Sequence, residues 1–207
     1  MAARALLLDL DGTLADSLGV MRAAYEQLLR GYGRQPTDAE FISLNGPPMA
    51  ECARRMKETH SLNEDVDAIV ARWLRIIEGL HAEVRPAVGA RELLEAARGA
   101  GWKIAVVTSG PQALARGWLD RVGFGLLVDT IVGGDDVSRG KPDPAPYTAA
   151  MTRLAVAPGD CIAVEDTATG AASAMAAGAR TYIIQPGPQS AGAQPVRSLR
   201  DLMALLA

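Results

Sequence analysis

Short apolar runs alternate with helical periodicities along most of the chain. The runs at residues 5–10, 103–108, 130–133, 161–165 and 180–184 are largely apolar on both alternating faces, and each is followed closely by polar or glycine positions. A strand with no polar face belongs inside a sheet covered on both sides, which is the habit of parallel sheets. Between these runs, residues 91–98 put Leu93, Leu94 and Ala97 on one face, residues 112–122 gather Leu114, Trp118 and Leu119, and residues 147–154 repeat the pattern. Those are helices built to pack on a sheet. Gly99, Gly101, Gly123 and Gly178 stand where such helices should stop. The predicted fold class is α/β, a mostly parallel sheet flanked by helices.

One stretch breaks the alternation. From about Asp16 to about Arg85 the pattern predicts no strand, only helices near residues 20–29, 49–57 and 66–80, before Pro86 and Gly89 restart the α/β rhythm. That is too long for a crossover connection, so it predicts a small all-helical domain, residues 16–85, inserted after the first strand. Residues 1–15 and 86–207 then form the core, with hinges near residues 15–17 and 82–86. The Gly, Pro and Gln-rich residues 185–194 predict a surface loop, and residues 198–206 a short final helix.

Composition narrows the function. Of 207 residues 49% are hydrophobic, enough for a sizeable core, and 21 Lys+Arg against 24 Asp+Glu give a net charge of -3. No cationic surplus is present for a nucleic acid. No apolar run reaches the length of about eighteen residues that a membrane helix needs, and Asp9 interrupts the first run before it could act as a signal peptide. A cytoplasmic protein, monomer or homodimer, is expected. Cys52 and Cys161 fit no metal or redox spacing.

In open parallel sheets ligands bind beyond the carboxyl ends of the strands. Those ends are polar here: Asp9-Leu10-Asp11-Gly12-Thr13, then Thr108-Ser109-Gly110, then Asp135-Asp136 leading to Gly140-Lys141-Pro142, then Glu165-Asp166. A single Asp after a strand is more often a turn or helix cap than a catalyst. Their conjunction is different. Converging carboxylates repel by about 4 kcal/mol per pair at 4 Å and an effective dielectric of about 20, so Asp9, Asp11, Glu165 and Asp166 call for a hard divalent cation, most simply Mg2+. Lys141 is a second positive charge. Such parts suit phosphoryl transfer: Asp9 as nucleophile, Asp11 as acid and base two residues on, and phosphate held by backbone N–H groups at Gly12 and Thr13 and by Thr108, Ser109 and Gly110. An extended chain would aim Asp9 and Asp11 to the same side.

Asp9-Leu10-Asp11-Gly12-Thr13-Leu14-Ala15-Asp16-Ser17, Thr108, Lys141 within Gly140-Lys141-Pro142-Asp143-Pro144, and Glu165-Asp166 resemble, in order and spacing, the four signature motifs of the haloacid dehalogenase superfamily. The resemblance covers nearly the whole chain and implies a Rossmann-like core. It implies a nucleophilic Asp9, an acid/base Asp11, and phosphate contacts from Thr108 and Lys141. It also implies Mg2+ ligated by the Asp9 carboxylate, the Asp11 carbonyl and Asp166, with Glu165 as ligand or support. The helical insert resembles that superfamily's cap, as in phosphoglycolate phosphatases and beta-phosphoglucomutases. An acid at Asp11 separates the chain from the dehalogenases. Met21 and Met49 stand near positions where phosphoglucomutases carry His and Arg, and residues 17–26 lack the Lys of phosphonate-cleaving relatives. The expected function is a phosphatase acting on a small phosphorylated metabolite, of sugar phosphate or phosphoglycolate type. A phosphomutase, a phosphonate hydrolase, and a phospho-accepting signalling module, which would lack the helical insert, are the alternatives.

In the insert, the stiff turn Asn45-Gly46-Pro47-Pro48 is the best candidate to face the active site. Met21, Tyr25, Met49, Arg54 and Arg55 are weaker candidates, since apolar pairs at helical spacing usually pack and arginines on helices usually face water. Trp73, Trp102 and Trp118 fit packing, and His60 and His81, with no ligand spacing, are expected at the solvent surface.

Overall fold

The computed structural model describes residues 4–184 and 192–206. Six strands, β1 (Ala5–Leu8), β4 (Lys103–Val107), β5 (Thr130–Val132), β6 (Cys161–Glu165), β7 (Arg180–Ile184) and β8 (Gln194–Val196), form one sheet in the order β5-β4-β1-β6-β7-β8. Every pairing in it is parallel. β1 lies between β4 and β6, and all four of its residues are fully buried. Its side chains alternate strictly: Leu6 and Leu8 join the core on one face, Ala5 and Leu7 that on the other.

Helices α5 (Ala90–Gly99) and α6 (Gln112–Arg121) cover the first face together with a 3-10 segment, Leu199–Leu205. Helices α7 (Ala145–Leu154) and α8 (Ala168–Ala176) cover the second. Between β1 and β4 the chain forms α1 (Leu18–Gly31), α2 (Asp38–Ser43), α3 (Met49–His60) and α4 (Val66–His81), packed around their own core of Tyr25, Leu28, Met56, Ile69 and Ile77. Two short strands, β2 (Ala15–Asp16) and β3 (Arg85–Pro86), pair antiparallel where the chain leaves for these helices and returns. Leu14 O also accepts from Ala87 N at 2.9 Å, so the crossing is a double-stranded ribbon.

The structure departs from the expectations in several places. The ribbon supplies strands at the very edges of the stretch predicted to have none, because two residues leave no periodicity to read. α2, with six residues, was not signalled, and α8, Ala-rich with little amphipathic contrast, was marked only by the stop at Gly178. β1, β4 and β5 end one or two residues early, and the final helix is a 3-10 segment. Within the loop expected at 185–194, residues 185–191 lie outside the described chain and Gln194 opens β8. His81 is buried at 7% exposure, and His60 lies half-buried with its Nε2 2.8 Å from Glu40 Oε2. Neither faces solvent, because each ends a helix that packs inward. Among the described residues no helix is long and apolar enough to cross a membrane.

The helical insert depends on its own core. Leu28→Ala, at a position with no exposed surface, should cost about 2–5 kcal/mol in urea denaturation while leaving the sheet assembled.

Candidate active site

The sheet register aligns the reactive row. Leu8 pairs with Val106 on one side and Val164 on the other, so the next residues, Asp9, Val107 and Glu165, end three neighbouring strands at one level. Lys141 bridges all three. Its Nζ donates to Asp9 Oδ1 at 2.6 Å, Val107 O at 3.0 Å and Glu165 Oε1 at 2.5 Å, with only 2% of the lysine exposed. Tyr147, in the first turn of α7, donates its hydroxyl to the same Glu165 oxygen at 2.6 Å, and Lys141 Nζ lies 5.4 Å from its ring centroid. Both carboxylate neighbours hold the ammonium in its charged form against the cost of burial.

Asp9 is 7% exposed. Burial, with the Glu165 and Asp166 carboxylates nearby, pushes its carboxyl well above the usual range, and the adjacent Lys141 opposes this without cancelling it. Asp166 is pushed up to about 7 by burial and by Glu165. Its Oδ1 is buried without a hydrogen-bond partner among the described residues. A Cβ on Gly12, whose φ is +83°, would sit 2.1 Å from Asp166 Oδ2, so only glycine lets that carboxylate lie across the turn. Asp9, Glu165 and Asp166 each offer an oxygen within 4.8 Å of the others. With all three ionised, Lys141 leaves two negative charges uncompensated. A cluster of that charge with an orphaned oxygen has the donor set of a hard dication, so these residues fit Mg2+.

Asp11 reaches the site by a route other than the extended chain expected from its spacing. The strand stops at Leu8, and Leu10 O accepts from the N–H groups of Thr13, Leu14 and Ala15, coiling the chain into a tight turn. Asp11 Oδ1 accepts from Ser17 Oγ at 2.7 Å, and burial raises its pKa, with Ser17 and His81 opposing. Its carboxylate stands outside the three-carboxylate group. The same turn consumes the N–H groups of Gly12, on Ala15 O, and of Thr13, on Leu10 O, and Thr13 is fully buried. The phosphate contacts expected from those two residues are therefore taken up internally.

A cavity of about 110 Å³ opens over this row, lined on the core side by Asp9, Asp11, Thr108, Ser109, Gly110, Lys141 and Asp166 and on the helical side by Asn45 and Gly46 among others. Thr108 Oγ1 accepts from Gly110 N at 3.0 Å. Ser109 Oγ donates to Gly46 O at 3.0 Å, tying the helical insert to the core across the cavity. A Cβ on Gly46 would approach Thr169 Cβ to 2.9 Å, and one on Gly140 would strike Pro48. The Asn45–Pro48 turn is thus seated on the core. Arg54 and Arg55 pair with Glu51 instead of facing the cavity. Asp135 and Asp136, grouped with the site by sequence order, cap backbone N–H groups of Gln112 and Gly133.

Sequence reasoning missed Tyr147 and Trp73. Tyr147 stood in a helix read as packing, and its distance from Glu165 is created by the α7 to β6 connection. Trp73 lies on the apolar stripe of α4 with Ile69 and Ile77, where nothing local marks it as lining a cavity.

The chain is similar to known proteins over most of its length. Residues 6–184 match the family described as haloacid dehalogenase-like hydrolase. The chain is 37% identical to validoxylamine A 7'-phosphate phosphatase of Streptomyces hygroscopicus subsp. limoneus, over 83% of this chain and 81% of that protein. It is 34% identical to the plasmid phosphoglycolate phosphatase of Cupriavidus necator, over 98% and 92%. The crystal structure of CbbY from Rhodobacter sphaeroides in complex with phosphate superposes with a TM-score of 0.88 at 25% identity, covering 97% of this chain and 96% of that one.

Tyr147→Phe should destabilise the protein by about 1–3 kcal/mol in chemical denaturation, since it removes one of the donors that satisfy a fully buried carboxylate.

Proposed function

The chain belongs to the haloacid dehalogenase-like hydrolase family, and on that footing we propose that it is a Mg2+-dependent phosphatase of a small phosphorylated metabolite, working through a phosphoaspartate at Asp9. The observation that carries this reading is the buried Asp9 held by Lys141 at the floor of a cavity, beside an Asp166 oxygen with no partner among the described residues. Phosphatases of small phosphorylated compounds among its relatives support the same class.

In this reading the Asp9 carboxylate, the Asp11 carbonyl and Asp166 would hold Mg2+, and Glu165 supports the site by anchoring Lys141. When bound there, such an ion would supply positive charge against the carboxylates and the phosphate. Lys141 orients Asp9 through Oδ1 and supplies a positive charge to the phosphoryl oxygens, with Thr108 and Ser109 beside them. Asp9 forms a bond to phosphorus as the bond from phosphorus to the substrate oxygen breaks. Asp11, protonated at this stage, gives its proton to the departing alkoxide. A water then surrenders a proton to Asp11 and attacks phosphorus, breaking the bond to Asp9 and releasing inorganic phosphate. The raised pKa of Asp11 suits the first half of this cycle, and Ser17 fixes its direction.

Residues 16–85 serve as a cap. The β2–β3 ribbon is its hinge, and the bond from Ser109 to Gly46 is a latch that closes the cavity against bulk water.

Asp9→Asn should abolish phosphate release from phosphomonoesters while leaving the melting temperature near that of the native chain; retained activity would show another nucleophile. EDTA should suppress release and added Mg2+ restore it. Asp11→Asn should lower kcat by about 10²- to 10⁴-fold, measured under saturating substrate.

A further inference from the structure

The cavity over the catalytic row leaves little space beyond the reacting group. Its volume of about 110 Å³ must take the phosphoryl group and the ester oxygen before any of the leaving group. It joins a larger space. A groove of about 1000 Å³ adjoins it, and Asn45, Pro47, Lys141 and Asp166 line both. The Asn45–Pro48 turn and the first half of α3 form one wall of the groove, and residues 138–142 and 166–169 form the other. A leaving group of any length therefore finds its room in the groove.

The two spaces differ in chemistry. In the inner cavity the insert presents mostly apolar side chains, among them Met21, Phe41, Leu44 and Met49. The groove carries cations on both walls, Arg54 and Arg55 on the insert and Arg139 on the core. Glu51 is the only carboxylate lining it among the described residues apart from Asp166 of the catalytic row. Arg54 and Arg55 share Glu51, so two guanidinium groups meet one carboxylate and the insert wall keeps one positive charge in excess. Arg139 pairs with Asp143 at 3.2 Å. These pairs are held loosely: the side chains of Arg54, Arg55 and Arg139 are 52%, 47% and 76% exposed, and pairs so open to water contribute little. An anion between the walls gains a charge-assisted hydrogen bond without breaking a costly one. Asn45, at the junction, offers a donor and an acceptor to hydroxyl groups, and Thr167 and Thr169 line the opposite wall.

We infer that the leaving group of the substrate passes Asn45 into this groove and ends in an anionic group that Arg54 and Arg55 receive. The substrate class is then the phosphomonoester of an extended, hydroxylated alcohol with a terminal anion, and Arg54 and Arg55 are specificity-determining residues. This inference rests on the phosphatase reading and specifies its substrate class.

The test uses the full chain with Mg2+ and two matched pairs of probes that differ in a terminal charge: 6-phosphogluconate against sorbitol 6-phosphate, and 2-phosphoglycolate against 2-hydroxyethyl phosphate. The expected kcat/KM for 6-phosphogluconate exceeds that for sorbitol 6-phosphate by at least about fivefold, the gain of one charge-assisted hydrogen bond in a partly open site. In the short pair, whose carboxylate does not reach the groove wall, the ratio stays within about twofold. Arg54→Gln combined with Arg55→Gln lowers the ratio of the long pair to about twofold or less, a comparison of two substrates in one protein that loss of folded material does not move. Glu51→Gln, which frees both guanidinium groups, raises that ratio. A long-pair ratio near one in the native chain would overturn the terminal anion. A short-pair ratio as large as the long one would overturn the groove as its seat. A long-pair ratio unchanged by the double substitution, or lowered by Glu51→Gln, would overturn the assignment to Arg54 and Arg55. Each of these results leaves the phosphatase reading intact, whereas release of phosphate from none of the probes would overturn that reading and the inference with it.

Discussion

Three strand ends meet at one buried ammonium. An isolated charge in that position would be expelled or neutralised, so Lys141 is stable only because Asp9, Glu165 and the Val107 carbonyl surround it. The converse also applies: without Lys141, Asp9 and Glu165 would be like charges side by side in a poorly solvated site. This mutual need constrains much else. Tyr147 is placed by α7 to complete the coordination of Glu165, and α8 begins with a small-residue turn because a Cβ on Gly170 would fall 2.1 Å from the Glu165 carboxyl carbon. The same arrangement leaves excess negative charge on the cavity side, toward Asp166, where a dication and an incoming phosphate would share it.

The division of labour follows the two cores. The sheet holds the reactive row rigidly, because β1 is buried on both faces and flanked by parallel neighbours on both edges. The four-helix insert has its own apolar core and touches the row through a glycine-proline turn and the apolar faces of α1 to α4. In the proposed function, phosphate chemistry belongs to the core and leaving-group choice to the insert. The two-residue ribbon of β2 and β3 joins them with few bonds, as the proposed capping role requires of a hinge.

Much of this was legible along the chain. The alternation of apolar runs and helical stripes carries the α/β class and the helical insert, since burial on both faces of a strand and on one stripe of a helix leaves a periodic trace. Asp9, Asp11, Thr108, Glu165 and Asp166 were legible as candidates because each stands at or just past the end of an apolar run, and the register of parallel strands brings such positions to one edge; Lys141, nine residues beyond its strand, was legible through Gly140-Lys141-Pro142. Other features leave no local trace. His81 and a solvent-facing histidine look alike in sequence; its burial comes from the packing of α4. Gly12 and Thr13 carry the same letters whether their N–H groups face a phosphate or fold back onto Ala15 and Leu10.

By itself, the order of residues determined which side chains stand at the ends of strands, because burying an apolar run in a sheet stops where the polar residues begin. What only the tertiary structure decided is which of those groups touch. Lys141 lies 132 positions from Asp9 and 24 from Glu165, and contacts across such separations depend on strand order and helix packing, to which local periodicity is blind. The same holds for the cap wall. Met21, Phe41 and Trp73 sit on three different helices, and whether their apolar faces bury one another or enclose a cavity is settled by how the helices cross.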